Sequence, residues 1–419
     1  MNHTHAARRA SLAAFCTLWL VATGWAASPA PDQKFTIAVV PDTQNYLDFR
    51  KQRATGYPFD AVEMFYDQMQ WIARNVESVG GEIAFVTQVG DVWQNYSQEI
   101  DPAHRALGME PDPSRMPSQA DPRTRSVELP AARRGFQMID GKVPFSVVPG
   151  NHDYDAVWAV KGVTPPLMHI GGLGNFNEVF GERSPFFRSK PWRVASFNGG
   201  ADSATVFTAG GYRFLHIGLE YEPADDVLAW AESVMRKYPG VPTIFAMHNF
   251  LSNRGERKGT ANMVLKSGHS EHNSPEEIWQ KLLSRHAQIF LVVCGHQTTQ
   301  ARRVDPGAEG GKVWQLLSDF QDRQQVYRNV AGQAAPNRGG LGDGWLRLLE
   351  FDFTAALPRL RVRTYSTYFK VFASELPDYA AWYKAREKPA LSDEDFLAED
   401  EFTIELDDFV QRFGMPKGR

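Results

Sequence analysis

Residues 145–153 read Phe145-Ser146-Val147-Val148-Pro149-Gly150-Asn151-His152-Asp153, an apolar run that stops at Pro-Gly and then delivers an amide, an imidazole and a carboxylate. β-Branched and aromatic residues bounded by Pro-Gly predict a buried strand ending in a tight turn. In open α/β sheets the chemistry gathers at the carboxyl ends of the strands, which makes these three polar groups candidate site residues. Taken alone, Asn-His-Asp is also what an ordinary polar turn contains.

Four further runs end alike. Phe35-Thr36-Ile37-Ala38-Val39-Val40 leads into Pro41-Asp42-Thr43-Gln44, and Ile83-Ala84-Phe85-Val86-Thr87-Gln88-Val89 leads into Gly90-Asp91. Pro242-Thr243-Ile244-Phe245-Ala246-Met247 leads into His248-Asn249, and Ile289-Phe290-Leu291-Val292-Val293-Cys294 leads into Gly295-His296-Gln297. Core packing gives no reason for five strands to deliver Asp, Asn or His at the same end. Together they are a specific signal, although each is weak alone.

The order Asp…Gly-Asp…Gly-Asn-His-Asp…His…Gly-His resembles that of the calcineurin-like metallophosphoesterases, over about residues 35–353. Within them it looks like the exported bacterial branch whose first motif is Asp-Thr-Gln. The resemblance implies an α/β fold, a four-layer α/β/β/α sandwich of two mixed sheets flanked by helices. It also implies two divalent metal ions (Mn, Fe, Zn, Mg or Ca) and hydrolysis of a phosphomonoester or phosphodiester by a metal-activated water. Carried over residue by residue, Asp91 bridges the ions, Asn151, His248 and His296 complete one position, and Asp42 and Gln44 belong to the other. His152 resembles the family's proton donor, with Asp153 hydrogen-bonded behind it.

One departure stands out. Most of the family has His where this chain has Gln44, and the second His of Gly-His-x-His is Thr298 here. Oxygen donors favour hard ions such as Mg, Mn or Ca, so the first position is expected to bind more weakly. Thr298, His269 and His272 are the candidates to complete it. Asn45, Tyr46, Gln94, Asn95 and Asn249 flank the expected ligands as candidates for supporting hydrogen bonds. The loop cations Arg183, Arg188, Arg323 and Arg338 are candidates to meet phosphate oxygens.

The rest of the chain fits around this. Of 419 residues, 43% are hydrophobic and 22% charged, an ordinary globular composition. Net charge is −4 with no long Lys/Arg run, which speaks against tracking along nucleic acid. Arg8-Arg9 before an apolar stretch and small residues near Ala26 predict a signal peptide over 1–26, hence a periplasmic or extracellular protein with no membrane span after cleavage. Of the two cysteines Cys294 would then remain, a core residue rather than a nucleophile.

Apolar spacing predicts helices over 61–79 and 127–139, and Ser274-Pro275-Glu276-Glu277 opens another. Residues 97–126 are a predicted surface loop. Residues 32–366 form the expected catalytic domain, with 154–204 an irregular insertion whose interleaved aromatic and basic residues make it a candidate lid. Trp314 to Leu317, Trp345 to Phe353 and Leu360 to Thr364 are expected in a second sheet. Residues 367–419 form an acidic extension on the same domain, in which alternation of Phe402, Ile404 and Leu406 predicts an edge strand. A single Rossmann-like sheet is the other fold considered; no Gly-x-Gly-x-x-Gly follows the first strand.

The expected partner is a small phosphorylated substrate or a phosphoprotein. The alternative is a non-catalytic metal-containing relative that binds an anionic ligand or a cell-surface polymer.

Overall fold

Strand β1 (Lys34–Val40) forms where the apolar run predicts it, and every residue after Lys34 is buried. It belongs to a computed structural model that describes residues 33–98, 120–159, 168–261, 272–332 and 340–416, with Met1 and Ala106 besides. The predicted signal segment, most of 97–126, His269 and Arg338 lie outside the described residues.

β1 runs parallel to β2 (Ile83–Gln88), with Val40 opposite Gln88, and β2 runs parallel to β3 (Phe145–Val147), with Gln88 opposite Val147. Parallel neighbours need a long crossover, and the helices Val62–Arg74 and Leu129–Gln137 supply the two. A π-helical turn, Thr124–Glu128, precedes the second. Since the three strands share direction and register, the residues that follow them emerge at one edge.

The first sheet continues on the other side of β1 with β13 (Trp345–Asp352), β14 (Arg359–Ser366) and β15 (Val371–Phe372), and β16 (Phe402–Glu405) pairs with β14. β16 lies where the alternation of Phe402, Ile404 and Leu406 predicts a strand. The second sheet also has seven strands, in the order β11 (Thr299–Pro306), β12 (Lys312–Asp319), β10 (Ile289–Cys294), β9 (Thr243–Ala246), β8 (Tyr212–Gly218), β7 (Asp202–Ala209), β6 (Arg193–Phe197). Here β8, β9, β10 and β12 are mutually parallel, with Gly218 and Val293 both opposite Ala246, and Cys294 opposite Leu317. Both sheets are therefore mixed, and the fold is α/β.

Alternate residues show what each face meets. Phe35, Ile37 and Val39 share a buried cluster with Phe214, Ile244, Leu291 and Val293 of the second sheet. Ala38 and Val40 point the other way, into a cluster with Phe65, Met69 and Ile72 of the first crossover helix. On the second sheet Leu215, Ile217, Phe245 and Val292 pack with Val227, Ala231 and Val234 of the helix Asp225–Lys237. At roughly 1.5–3 kcal/mol for each fully buried large apolar side chain, these clusters fix how the sheets sit on one another. Cys294 lies in the third cluster, and burial pushes its thiol up to about 12, so it is inert core as expected.

Three expectations are corrected. β13 and β14 join the first sheet rather than the second, because β13 pairs antiparallel with β1, Leu348 opposite Ala38. The insertion 154–204 is not irregular. It holds the hairpin β4 (Ala156–Ala159) and β5 (Met168–Gly171), the helix Gly174–Phe180 and β6. Its Phe176, Phe180, Phe186 and Phe187 are core rather than lid, buried with Phe136 and Phe145 at ring separations such as 4.9 Å for Phe136–Phe180 and 5.0 Å for Phe145–Phe187. Four buried phenylalanines cost too much to expose for this segment to swing over a substrate. Finally, the segment after β12, expected as a loop carrying Arg323 and Arg338, contains a helix, Gln325–Ala331.

Among the described residues no helix is long and apolar enough to cross a membrane.

Candidate metal centre

Each parallel strand ends in a turn that throws one polar side chain into the same place. Asp42 follows β1 by two residues, Asp91 follows β2 by three, and a 3₁₀ turn, Asn151–Asp153, follows β3. From the second sheet His248 follows β9 and His296 follows β10, each by two residues.

These groups meet. One ligand atom each of Asp91, His248 and His296 lies within 4.8 Å of the others. His248 Nε2 is 3.2 Å from Asp91 Oδ2 and 3.9 Å from Asp42 Oδ2. His248 Nδ1 lies 2.8 Å from the Val89 carbonyl, which can only accept, so Nδ1 carries a proton and Nε2 is the nitrogen turned on the carboxylates; burial would lower the ring's pKa, but Asp91 raises it above the ordinary imidazole value. His248 Nε2 is also 3.2 Å from His296 Nδ1, while His296 Nε2 contacts the Tyr221 hydroxyl at 3.2 Å. An imidazole with one nitrogen anchored and the other turned on carboxylates is the usual form of a metal-ligating histidine.

The electrostatics agree. Burial pushes His296 down to about 3, with His248 adding to the effect, so its ring is neutral. Burial would raise Asp91, but the neighbouring His248 and His152 hold it below the ordinary carboxylate range. Burial, then Asp319 and Asp91, raise Asp42 well above that range. Strain is present too: Asp91 has φ 53 and His296 φ 73, left-handed conformations that non-glycine residues adopt at a cost and keep where function requires them.

A donor set can be tested for fit by its unsatisfied atoms. Asp42 Oδ1, Gln44 Oε1 and Asn151 Oδ1 are buried without a hydrogen-bond partner. Nearly all buried polar atoms in native proteins are satisfied, so three orphaned oxygens beside a His-His-Asp cluster call for a cation. The residues present fit a divalent metal.

Glycines make room for the cluster. A Cβ on Gly150 would lie 2.2 Å from Asp91 Oδ1, and one on Gly295 2.2 Å from Asp42 Oδ1. Gly295→Ala is expected to displace Asp42 and lower stability by about 1–3 kcal/mol. Gly259→Ala, which would meet nothing within 4 Å, is the control and should stay within about 0.5 kcal/mol of the parent. Urea unfolding of both decides; equal midpoints would refute the close approach.

His152 sits on the open side of the cluster. Its backbone N–H donates to Asp91 Oδ1 at 2.8 Å, its Nδ1 donates to the Gln94 carbonyl at 2.7 Å, and its ring stacks on Tyr96 with centroids 5.4 Å apart. The expected Asp153 support is corrected. The Asp153 carboxylate instead accepts from the backbone of Gly150 at 2.8 Å and Val92 at 2.9 Å, tying the turn after β3 to the turn after β2. A 3₁₀ turn folds Asp153 back toward the N–H of Gly150 at its start, away from the imidazole.

Behind these turns stands Glu128, fully buried at the end of the π-helical turn. It accepts from the backbone N–H of Gln94 at 3.2 Å and of Asn95 at 3.0 Å, and from the Asn95 side chain at 2.6 Å, fixing the segment that carries the His152 acceptor. Asp319, at the end of β12, was likewise missed, although its strand ends in a carboxylate like the others. Burial, with Asp322 nearby, raises it to about 7.

The other expected residues fall elsewhere. Arg323 is not a phosphate contact: it is 1% exposed and paired with Glu387. Arg183 projects into solvent at 93% exposure and Arg188 is exposed on the same turn. His272 Nδ1 meets the Glu222 carbonyl at 2.9 Å and Asn249 donates to Glu222 at 2.9 Å. Tyr46 accepts from Gly344 N–H at 2.8 Å, so its hydroxyl supports the loop before β13.

The fold and cluster define a class of α/β protein with a candidate metal site at the strand ends of two sheets. No family model matches the chain. It is 23% identical over 349 residues to the uncharacterized protein YvnB of Bacillus subtilis (strain 168), a match covering 82% of this chain and 20% of that protein. The chain thus spans about a fifth of the length of that relative.

Proposed function

We propose that the chain is a calcineurin-like metallophosphoesterase, exported, that hydrolyses a phosphomonoester or phosphodiester. The observation that carries this reading is the convergence of Asp91, His248 and His296 with the orphaned oxygens of Asp42, Gln44 and Asn151, beside an anchored His152. The helix, sheet, sheet, helix order of the buried clusters supports the four-layer sandwich of that family.

Two divalent ions would be held by Asp42, Gln44, Asp91, Asn151, His248 and His296, and when bound they supply Lewis acidity toward phosphoryl oxygens and water. The protein's own groups do the rest. His296 is kept neutral by burial, and the Val89 carbonyl anchors His248 through Nδ1 so that its Nε2 faces the site. His152 Nδ1–H donates to the Gln94 carbonyl, which leaves Nε2 to face a leaving oxygen, and the imidazolium form would give that oxygen its Nε2 proton. Asp153 and Glu128 hold the two turns that present these groups.

The test is hydrolysis of a phosphomonoester and a phosphodiester by metal-stripped protein reloaded separately with Mn, Fe, Zn, Mg or Ca. Turnover that requires metal is expected on at least one ester. No turnover with any ion, despite measurable binding, would favour a non-catalytic binder of an anionic ligand.

A further inference from the structure

Thr298 stands where the resemblance expects an imidazole, and its hydroxyl is turned elsewhere: it donates to Asp322 Oδ2 at 3.4 Å, a carboxylate that Arg386 also contacts at 3.2 Å. A different group has come to that corner. Asp319 ends β12, is fully buried, and lies directly opposite Thr299 in the β11–β12 ladder. β12 runs parallel to β10, so Asp319 leaves its strand in the same direction as His296.

Asp319 is tied to the first-sheet ligands through one side chain. Its carboxylate accepts from Gln321 N–H at 3.0 Å and from Gln321 Nε2 at 3.1 Å. Gln321 in turn accepts from Gln44 Nε2 through Oε1, and from Asn45 Nδ2 through its backbone carbonyl at 2.9 Å. With its Nε2 held there, Gln44 keeps Oε1 as its buried, unpartnered atom, and Asp42 Oδ1 is unpartnered as well. The Gln321 bridge thus brings the Asp319 carboxylate to the side of the cluster where Gln44 stands. Like-charged carboxylates buried beside orphaned oxygens destabilise a fold unless protons or a cation compensate.

Resting on the metal-centre reading above, we propose that Asp319 supplies the ligand that Thr298 cannot. Asp42, Gln44, Asp319 and a shared Asp91 then form an all-oxygen position beside the imidazole-bearing one of His248 and His296. Oxygen-only donors select a hard cation of the Mg, Mn or Ca kind, whereas the imidazole position also suits Zn or Fe. The centre is asymmetric by composition, and its two positions are separable by choice of metal.

Metal-free protein and its Asp319→Asn, Asp319→Ala and His248→Ala variants would be titrated with Mn²⁺, with stoichiometry read by calorimetry and by the electron paramagnetic resonance of free Mn²⁺. The parent should bind two ions. The Asp319 variants should keep one and lose the other by a factor of at least about 100 in affinity, more than supporting residues of metal sites usually contribute. His248→Ala should show the reverse, and Zn²⁺ should compete at the position that Asp319→Ala retains. Without metal, both Asp319 variants should keep the parent's fold by circular dichroism; loss of fold in both would make Asp319 structural and overturn the proposal. Unchanged stoichiometry and affinity in both Asp319 variants would overturn it too, with the metal-centre reading intact. A parent that binds no ion would remove both.

Discussion

His152→Ala is expected to lower kcat by about 10²–10⁴-fold on an ester whose leaving alcohol is a poor one, the range that a positioned proton donor contributes. The side chain's hydrogen bond goes to the Gln94 carbonyl, and the bond to Asp91 is made by the backbone N–H, which Ala retains. Metal stoichiometry should therefore be unchanged. On an ester with a stable phenolate leaving group the loss should shrink, because the departing oxygen no longer needs a proton. Equal losses on both esters would show that His152 orients substrate instead, and no loss on either would remove it from the mechanism.

Arg323→Ala is expected to destabilise the protein by about 3–5 kcal/mol, the usual consequence of leaving a buried ionic partner alone. The guanidinium donates to Glu387 at 2.9 and 3.0 Å, to the Tyr379 hydroxyl at 2.6 Å and to Gln300 at 3.1 Å, and reaches Asp400 at 3.4 Å. It lies over the rings of Phe320 and Tyr383 at 4.2 and 4.4 Å. Glu387 and Asp400 end the helices Tyr379–Glu387 and Asp393–Asp400. Asp400 would still have Arg347 at 2.8 Å, but Glu387 would be left with the neutral Thr299 hydroxyl at 2.9 Å and no cation. Urea unfolding, with limited proteolysis following residues 367–416, reads the effect. Arg323→Ala within about 1 kcal/mol of the parent would show that these carboxylates take up protons or water at little cost.

The strand ends were legible because the signal is local: an apolar run followed by a polar residue, with Pro or Gly between them in every case but His248, predicts both the strand and the place of its last side chain. Apart from the adjacent Asn151 and His152, the residues Asp42, Asp91, His248 and His296 share no short stretch of chain, yet each is announced by its own few neighbours. Asp319 carries the same signal in weaker form, since Ser318 rather than Gly precedes it. Which sheet a strand joins was not legible, and β13 shows why. Its partner β1 lies some three hundred residues earlier, and nothing within Trp345–Asp352 names that partner. Arg323 failed for the same reason: a charged loop residue reads as solvated until Glu387 and Asp400, 64 and 77 positions on, are known to enclose it. The aromatic residues of 176–192 misled in the opposite sense, because interleaved bases suggested a surface where four rings in fact close the core.

The cluster draws Asp42, Asp91 and Asn151 from one sheet and His248, His296 and Asp319 from the other. A slide or tilt of one sheet against the other would pull the groups apart, so an ion held there would act as a rivet through the seam. Loading the centre would then fasten the two sheets together, and the tightness of that fastening would scale with the affinity of the ion driven in.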